Sequence, residues 1–196
     1  MIHIDEETFK TQKELANKIF AEAWTNIKNP ILLCIARTAY LPYQNIYTCP
    51  ASRKFHHNCK LGYAIHVAEM LDLALTFKKN GQTIFGKNLD WDIVLTTIFL
   101  HDIGKLSAYQ EIDGEYQYTD TAKYIDHLSD SYVTFCILAS KFDLPKDIRT
   151  KVEHCILAHH GRKEWGSPVE PQTPEAWYVH LLDMISSRCT NFRENI

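Results

Sequence analysis

The sequence predicts an all-α protein that folds as a single-domain helical bundle over residues 1–196. Apolar residues recur at helical spacing along most of the chain. Helix start signals and stop signals, such as Asp before an apolar stretch and Gly or Pro after it, separate the helical stretches. No repeat, low-complexity tract or interdomain linker divides the chain, and 45% of its residues are hydrophobic. One sizeable buried core is therefore expected.

Two helices are predicted in the first part of the chain. Asp5 can cap a helix that continues to about Asn29-Pro30, because the apolar positions follow an approximate helical period. A second apolar stretch, residues 31–40, ends before Leu41-Pro42. Residues 41–58 contain Pro42, Pro50 and many polar groups, so they are predicted to form a long loop.

Two further helices are predicted in the middle of the chain. Residues 61–79 return to helical spacing and close at Asn80-Gly81, a good C-terminal signal. Asp90 then opens a helix over residues 91–100 that is apolar almost all round. Such a helix is expected to be buried.

The second half of the chain contains one predicted departure from helix. A small hairpin insertion is expected near residues 109–119, since Asp113-Gly114 lies between aromatic and β-branched residues. Helices are predicted over about 121–141 and 146–160. Thr173 is expected to N-cap a last helix, which has Pro at its first position.

The composition limits the classes of function. A formal net charge of −3 and a pI near 6.3 argue against a general nucleic-acid coat, which needs an excess of Lys and Arg. The first residues lack the basic and apolar segments of a signal peptide. No apolar run reaches the roughly 20 residues that span a bilayer. The six cysteines are spread without a paired motif, as expected for reduced thiols. A cytoplasmic protein with no membrane partner is therefore predicted.

Ten histidines in a short chain raise the question of a metal site, because histidine is the commonest metal ligand. A group of histidines and aspartates lies on different predicted helices or at their ends: His66, His101, Asp102, His127, His159, His160 and Asp183. Side chains from several helices can converge inside a bundle. Imidazole nitrogen and carboxylate oxygen together suit Mn²⁺, Fe²⁺, Co²⁺, Ni²⁺ or Zn²⁺.

The adjacent pair His101-Asp102 is the most informative part of this group. It follows the apolar helix 91–100 directly, and a buried carboxylate needs a partner. A metal ion meets that need and so does a structural salt bridge, so the residues alone leave both interpretations open. Asp102 has two oxygens that could bridge two ions. Lys105 follows His101 by one helical turn, where its ammonium could hold a phosphate.

An ordered series of motifs runs from about Phe55 to Asp183. It comprises His56-His57 with Leu61-Gly-Tyr-Ala-Ile-His66, Leu100-His-Asp-Ile-Gly-Lys105, Asp126-His127, His154-Cys-Ile-Leu-Ala-His-His-Gly161, Trp165-Gly-Ser-Pro168, Pro174-Glu-Ala176 and His180-Leu-Leu-Asp183. The series resembles the HD-domain superfamily of metal-dependent phosphohydrolases. Within that superfamily the chain is most similar to the HD domain of bacterial 3′→5′ exoribonucleases that also carry an OB-fold.

The resemblance implies an HD-type bundle with two metal positions. It assigns His66, His101, Asp102 and Asp183 to a first ion. Asp102 would bridge to a second ion, held by His127, His159 and His160. The HD core would cover residues 55–190, while residues 1–50 match no part of the series and are predicted to form a helical cap of the same domain.

Other residues receive supporting roles from the same resemblance. Lys105 would contact the scissile phosphate. His56 or His57 would either donate to the substrate or leaving group or have a structural role in the loop. His154 and His180 would support the ligands by hydrogen bonds. His3 is expected to lie at the surface.

Several departures from the family pattern are visible. No OB-fold is expected here, which removes the usual platform for single strands. Asp126 stands where the exoribonuclease branch usually has glycine, and Ser186 stands where a further aspartate commonly follows Asp183. No Gly-Tyr-Pro tripeptide follows His159-His160, which counts against a cyclic-di-GMP phosphodiesterase of the HD-GYP kind.

The resulting hypothesis is a metal-dependent phosphohydrolase that cleaves phosphodiesters with a metal-activated water. A single-stranded nucleic-acid 3′→5′ exonuclease is favoured, with one or two divalent ions such as Mn²⁺. A phosphomonoesterase or pyrophosphohydrolase acting on free nucleotides is the alternative, with the loop 41–58 and the hairpin as walls of a narrow pocket. A non-catalytic regulatory module is the third hypothesis, although such a module commonly loses ligands that are all present here. The oligomeric state is not predicted.

Overall fold

Nine α-helices and one hairpin form the described part of the chain, which comprises residues 3–53, 55–80 and 89–189 of the computed structural model. The helices are α1 (Glu6–Asn26), α2 (Pro30–Tyr40), α3 (Gly62–Asn80), α4 (Trp91–Leu100), α5 (Lys105–Ala108), α6 (Asp120–Tyr124), α7 (His127–Lys141), α8 (Lys146–Ala158) and α9 (Pro174–Cys189). The strands are β1 (Tyr109–Ile112) and β2 (Glu115–Tyr118). The predicted all-α class is confirmed.

Helix α4 is the centre of the bundle. Every residue from Ile93 to Leu100 is buried, as its continuous apolar sequence predicts. Helices α2, α3, α8 and α9 all pack against it. His101 and Asp102, which directly follow the C-terminal end of α4, therefore lie in the interior.

The first two helices share this core. Helix α1 packs against α3, and α2 packs against α4 and α7. Phe20 makes an edge contact with Phe99 at 5.6 Å between ring centroids, and Trp24 stacks on the same ring at 5.6 Å. The hydroxyl of Tyr40 donates to the carbonyl of Phe99 at 2.8 Å.

The helix ends follow the predicted signals. The carboxylate of Asp5 accepts from the backbone N–H of Thr8 at 2.7 Å, and the hydroxyl of Thr173 accepts from the N–H of Ala176 at 3.2 Å. Asn29, predicted to end α1, instead caps α2 by accepting from the N–H of Ile31 at 2.9 Å. Gly81, the predicted stop of α3, lies outside the described residues.

The predicted hairpin is present. Asp113 and Gly114 have φ angles of 53° and 79°, the positive values that a two-residue type I′ turn requires. The strands pair antiparallel with Tyr109 opposite Tyr118. The described residues of the loop 41–58 contain no helix or strand, as predicted.

The single helix predicted over residues 121–141 is wrong, because the chain breaks between α6 and α7. Ile125 and Asp126 are both extended, with φ angles of −122° and −65° and ψ angles of 114° and 146°. Thr119 caps α6 through the N–H of Ala122 at 3.2 Å. No Gly or Pro marks the break, so the helical period continues across it in the sequence. The break places His127 at the start of α7, beside Asp102.

The cysteines and the helix lengths bear on the predictions of reduced thiols and of no membrane partner. All six cysteines lie in the described residues and none of them forms a disulfide there; Cys49, Cys59 and Cys155 are buried. None of the helices in the described ranges has the length and apolar character required to cross a membrane.

Candidate metal centre

A cavity of about 280 Å³ opens at the end of α4. Its lining residues come from the loop before α3, from the end of α4 and from α5, α8 and α9: Phe55, His56, Asp102, Lys105, His159, His160, Trp165, Asp183, Met184, Ser187 and Arg188. The loop 41–58 thus forms one wall, as predicted. The hairpin contributes no residue to this cavity, so its predicted role as a second wall is wrong.

The first candidate ligand group surrounds one oxygen of Asp102. The Nε2 atom of His66 lies 3.3 Å from Nε2 of His101 and 3.3 Å from Oδ1 of Asp183. Nε2 of His101 lies 3.3 Å from Oδ2 of Asp102. One ligand atom each from His66, His101 and Asp183 lies within 4.8 Å of the others, a spacing that suits a single cation.

The Nδ1 atoms of His66 and His101, which face away from this ligand group, already form hydrogen bonds. Nδ1 of His101 donates to the carbonyl of Ile98 at 2.8 Å. Nδ1 of His66 pairs with the hydroxyl of Ser186 at 2.8 Å, and that hydroxyl donates to Glu69 at 2.7 Å. Because each Nδ1 carries the proton, each Nε2 presents a lone pair to the interior. Sequence reasoning missed Glu69, although its position one turn after His66 on α3 was a usable signal.

The second candidate ligand group surrounds the other oxygen of Asp102. Four buried atoms have no hydrogen bond within the described residues: Oδ1 of Asp102, Nε2 of His127, Nε2 of His159 and Nδ1 of His160. One ligand atom from each of these four residues lies within 4.8 Å of the others. Oδ1 of Asp102 lies 3.4 Å from the His127 nitrogen and 3.6 Å from the His159 nitrogen. Unsatisfied buried polar atoms are costly. This donor set fits a divalent cation, which would satisfy all four atoms.

The outer nitrogens of this group are also engaged. Nδ1 of His159 donates to the carbonyl of Ile156 at 2.7 Å. Nδ1 of His127 donates to the carboxylate of Asp126 at 2.5 Å. Both rings are therefore held with the Nε2 lone pair toward Asp102. Asp126, which the sequence marked only as a departure from the family pattern, orients one of these histidines.

Electrostatics keep Asp102 ionised. Burial opposes its charge, but Lys105 and His101 outweigh that effect and hold the pKa of Asp102 well below its usual range. The ammonium of Lys105 lies 2.5 Å from Oδ2 of Asp102. Burial also opposes the charge on Lys105, yet the attraction of Asp102 raises its pKa. The two buried charges stabilise one another.

The histidines divide into two electrostatic classes. Burial lowers the pKa of His66 to about 4 and that of His160 to about 3, so both rings are neutral near pH 7. For His101 and His127 burial also acts against the charged ring, but the interaction with Asp102 outweighs it and raises the pKa. A proton on these rings compensates Asp102 in the same way that a bound cation would.

The two histidines before α3 occupy different positions. His56 lines the cavity, whereas His57 lies behind it with Nε2 3.2 Å from the carboxylate of Glu69. Their Nδ1 atoms are 3.0 Å apart. His56, His57 and His66 form a third buried cluster with a spacing that could hold an ion, although it shares His66 with the first group.

Residues 63–188 match the family model described as the HD domain. This chain belongs to the HD domain family. Among curated proteins it is similar to the 3'-5' exoribonuclease YhaM of Oceanobacillus iheyensis, with 31% identity over 180 residues that cover 90% of this chain and 54% of the relative. It is 32% identical to that of Shouchella clausii over 83% of this chain and 49% of the relative. The YhaM protein of Bacillus subtilis is 30% identical over 83% of this chain and 50% of the relative. The chain spans about half the length of these relatives, and no solved structure gives a significant match.

The matched HD domain region contains all seven residues of the two candidate ligand groups, while His56 and His57 precede it. HD domains bind divalent metals, and His and Asp groups are positioned for this in the present chain. The structure thus brings together every sequence-predicted ligand at one end of the buried helix α4.

Of the two histidines predicted to support the ligands, His180 contacts a candidate ligand and His154 does not. Nδ1 of His180 pairs with the backbone carbonyl of His159 at 2.8 Å, so His180 contacts the main chain of a candidate ligand. The expectation for His154 is wrong: its Nε2 accepts from the backbone N–H of Gln172 at 2.9 Å, in the loop before α9. His3 is exposed, as expected.

Proposed function

We propose that this HD domain is a metal-dependent phosphohydrolase that cleaves phosphodiester bonds, acting as a 3′→5′ exonuclease on single-stranded nucleic acid. One observation carries the hydrolytic part of the proposal: buried nitrogen lone pairs converge on both oxygens of Asp102, beside the ammonium of Lys105 and at the base of an open cavity. The exonuclease part is supported by the names of the relatives.

We assign the ligands in two sets. His66, His101, Asp102 and Asp183 would hold a first ion, and Asp102 together with His127, His159 and His160 would hold a second. Mixed imidazole and carboxylate donors favour Mn²⁺, Fe²⁺, Co²⁺, Ni²⁺ or Zn²⁺ over Ca²⁺ or Mg²⁺, which prefer oxygen donors. We further propose a cytoplasmic location, where nucleic-acid substrates are present.

Ions held there would supply positive charge to the phosphate oxygens and render a water molecule acidic enough to attack phosphorus near neutral pH. The residues of this chain contribute the rest. Asp102 belongs to both ligand sets, because its Oδ2 atom lies beside His101 and its Oδ1 atom lies beside His127 and His159. Lys105, which Asp102 holds at the cavity wall, offers its ammonium to a non-bridging oxygen of the phosphate, where negative charge develops.

His57 does not line the cavity, so we propose that it acts on the substrate indirectly, through its hydrogen bond to His56. If the Nε2–H of His57 donates to Glu69, its Nδ1 accepts a hydrogen bond from Nδ1–H of His56. His56, which lines the cavity, then keeps an unprotonated Nε2. Instead of the predicted donor, this arrangement gives an acceptor that can orient a water molecule or a substrate hydroxyl group.

The test combines metal content with a substrate panel. Purified protein is assayed for bound transition metal and then, with Mn²⁺, for hydrolysis of bis-p-nitrophenyl phosphate, p-nitrophenyl phosphate, single-stranded RNA and DNA, and free nucleotides. We expect stoichiometric metal, turnover of the diester, and mononucleotides released from 3′ ends. Asp102→Ala is expected to lose metal and to reduce turnover by at least about 100-fold, because an open metal site provides most of the charge stabilisation.

The control is Asp120→Ala, which removes an exposed carboxylate on α6 that forms an ion pair with Lys123. It should keep both metal and activity. Metal-free protein whose activity is unaffected by Asp102→Ala would contradict the proposed site. If only free nucleotides are hydrolysed, the exonuclease proposal is wrong and the alternative, a hydrolase of free nucleotides, is favoured. The small cavity and the acidic net charge are compatible with that alternative.

A further inference from the structure

Two exposed aromatic side chains line the mouth of the metal cavity. Phe55 is 67% exposed and Trp165 is 47% exposed, and both line the cavity that holds Asp102 and Lys105. Single exposed apolar residues are common on protein surfaces. Two aromatic rings at one candidate catalytic cavity are more specific, because nucleobases of any sequence stack on such rings.

Phe55 also belongs to a second pocket. This pocket of about 230 Å³ is lined by Ser52, Arg53, Phe55 and Tyr118. Tyr118 comes from the hairpin, which therefore borders the second pocket and not the first. Because Phe55 is common to both linings, a chain that leaves the metal cavity across this ring enters the second pocket.

Arginines accompany the aromatic rings along this path, although the whole chain has a net charge of −3. The guanidinium of Arg53 lies 4.9 Å from the ring centroid of Tyr118, and that of Arg162 lies 5.2 Å from the ring centroid of Trp165. Arg188 lines the metal cavity. Arginine can pair with a phosphate and stack on a base, so this combination matches both parts of a nucleotide.

We infer that Phe55, Arg53 and Tyr118 form a single-strand-binding subsite beside the metal cavity. Phe55 stacks on the base next to the scissile phosphate, and the pocket of Arg53 and Tyr118 takes the following nucleotide of the strand. Trp165 provides a further ring at the cavity itself. The inference rests on the proposed function and extends its site. It places a stacking platform for single strands within the HD domain.

Binding is tested by fluorescence anisotropy with 5′-labelled oligoribonucleotides of two and eight nucleotides. The wild-type protein is expected to bind the longer strand more tightly. Phe55→Ala and Tyr118→Ala are each expected to weaken its binding by about 5- to 100-fold, the usual range for loss of one stacked base. Phe55→Trp should retain it, because the larger ring still stacks.

The matched controls are Leu41→Ala and Tyr124→Ala. These side chains are 79% and 89% exposed, and neither lines the two cavities. Both variants should bind the longer strand as the wild-type protein does. If Phe55→Ala binds as tightly as Leu41→Ala, or if two and eight nucleotides bind equally well, the subsite is wrong.

Turnover separates this inference from the proposed function. With Mn²⁺, the ratio of kcat/KM for the eight-nucleotide strand to kcat/KM for bis-p-nitrophenyl phosphate should fall in Phe55→Ala and stay constant in Leu41→Ala. A constant ratio in both variants, with the diester still hydrolysed, overturns the subsite and leaves the phosphohydrolase intact. If no substrate is hydrolysed, the proposed function fails, and the anisotropy measurement alone decides the subsite.

Discussion

At the scale of single residues, the centre depends on side chains that touch the candidate ligands from outside. Asp126 is the clearest case, because its carboxylate holds Nδ1 of His127 while Nε2 of that ring faces Asp102. Such carboxylate–histidine pairs fix both the tautomer and the ring orientation of a metal ligand. The pairing gives a physical role to a residue that departs from the family pattern.

Asp126→Asn is expected to weaken binding of Mn²⁺ at the His127 position by about 10- to 100-fold, the usual effect of losing such a partner. Isothermal titration calorimetry of metal-depleted protein measures the affinity and the stoichiometry without any substrate. Asparagine still suits the position before α7, so the helix should persist. Asp120→Asn, at the start of α6, serves as the matched control. Equal affinities in the two variants would show that Asp126 has no positioning role.

At the scale of elements, the close approach of α5 to α7 decides how Asp102 meets His127. A Cβ atom at Gly104 would lie 2.2 Å from the carbonyl oxygen of His127 and 2.9 Å from Cβ of Asp130. The N–H of Gly104 donates to the hydroxyl of Ser131 at 3.0 Å. Only glycine permits this contact, and Gly104 lies in the same motif as Asp102 and Lys105.

Gly104→Ala is expected to push α7 away from the end of α4. We expect a loss of about 1–3 kcal/mol in the free energy of unfolding, as is typical of overpacking, together with weaker metal binding. Urea denaturation and calorimetric titration measure the two effects. Gly114→Ala provides the comparison, because nothing lies within 4 Å of an added Cβ in the hairpin and its φ of 79° confines the cost to backbone strain. Unchanged metal affinity in Gly104→Ala would refute the link between this contact and the site.

At the scale of the whole molecule, the N-terminal helices are built into the core that carries the site. Phe20 and Trp24 of α1 contact Phe99 of α4, and Tyr40 of α2 bonds to the carbonyl of the same residue. Phe99 lies two residues before His101. We therefore propose that residues 1–50 and the HD core form one cooperative unit.

Phe20→Ala is expected to lower the free energy of unfolding by about 3–5 kcal/mol, because it leaves a cavity in the core. Leu15→Ala, at a half-exposed position of the same helix, should cost less than about 1 kcal/mol. Hydrogen exchange followed by mass spectrometry tests the cooperativity. In Phe20→Ala, peptides of α1 and α4 should lose protection together. Selective loss in α1 would mean that the N-terminal helices form a separate unit.

Several local features of the fold could be predicted from the sequence. The caps at Asp5 and Thr173, the hairpin turn at Asp113-Gly114 and the burial of residues 91–100 all depend on local spacing, so they could be predicted. The break before His127 could not, because no turn residue interrupts the helical period there. The position of Glu69 one turn after His66 could have marked it as a neighbour of the site, but its hydrogen bond with Ser186, 117 positions away, could not be predicted. The bond of His154 to the N–H of Gln172 likewise depends on how the loop before α9 packs.

The helical class, the order of the motifs and the need of His101 and Asp102 for partners at the end of a buried helix all follow from the amino-acid sequence. Which atoms come into contact depends instead on the packing of the folded chain. His66 and Ser186 are 120 positions apart, and their hydrogen bond directs Nε2 of His66 toward the first ligand group. The packing of α7 and α8 leaves four polar atoms unsatisfied around Asp102. Periodicity is a local property, whereas the direction of each lone pair depends on how whole helices pack.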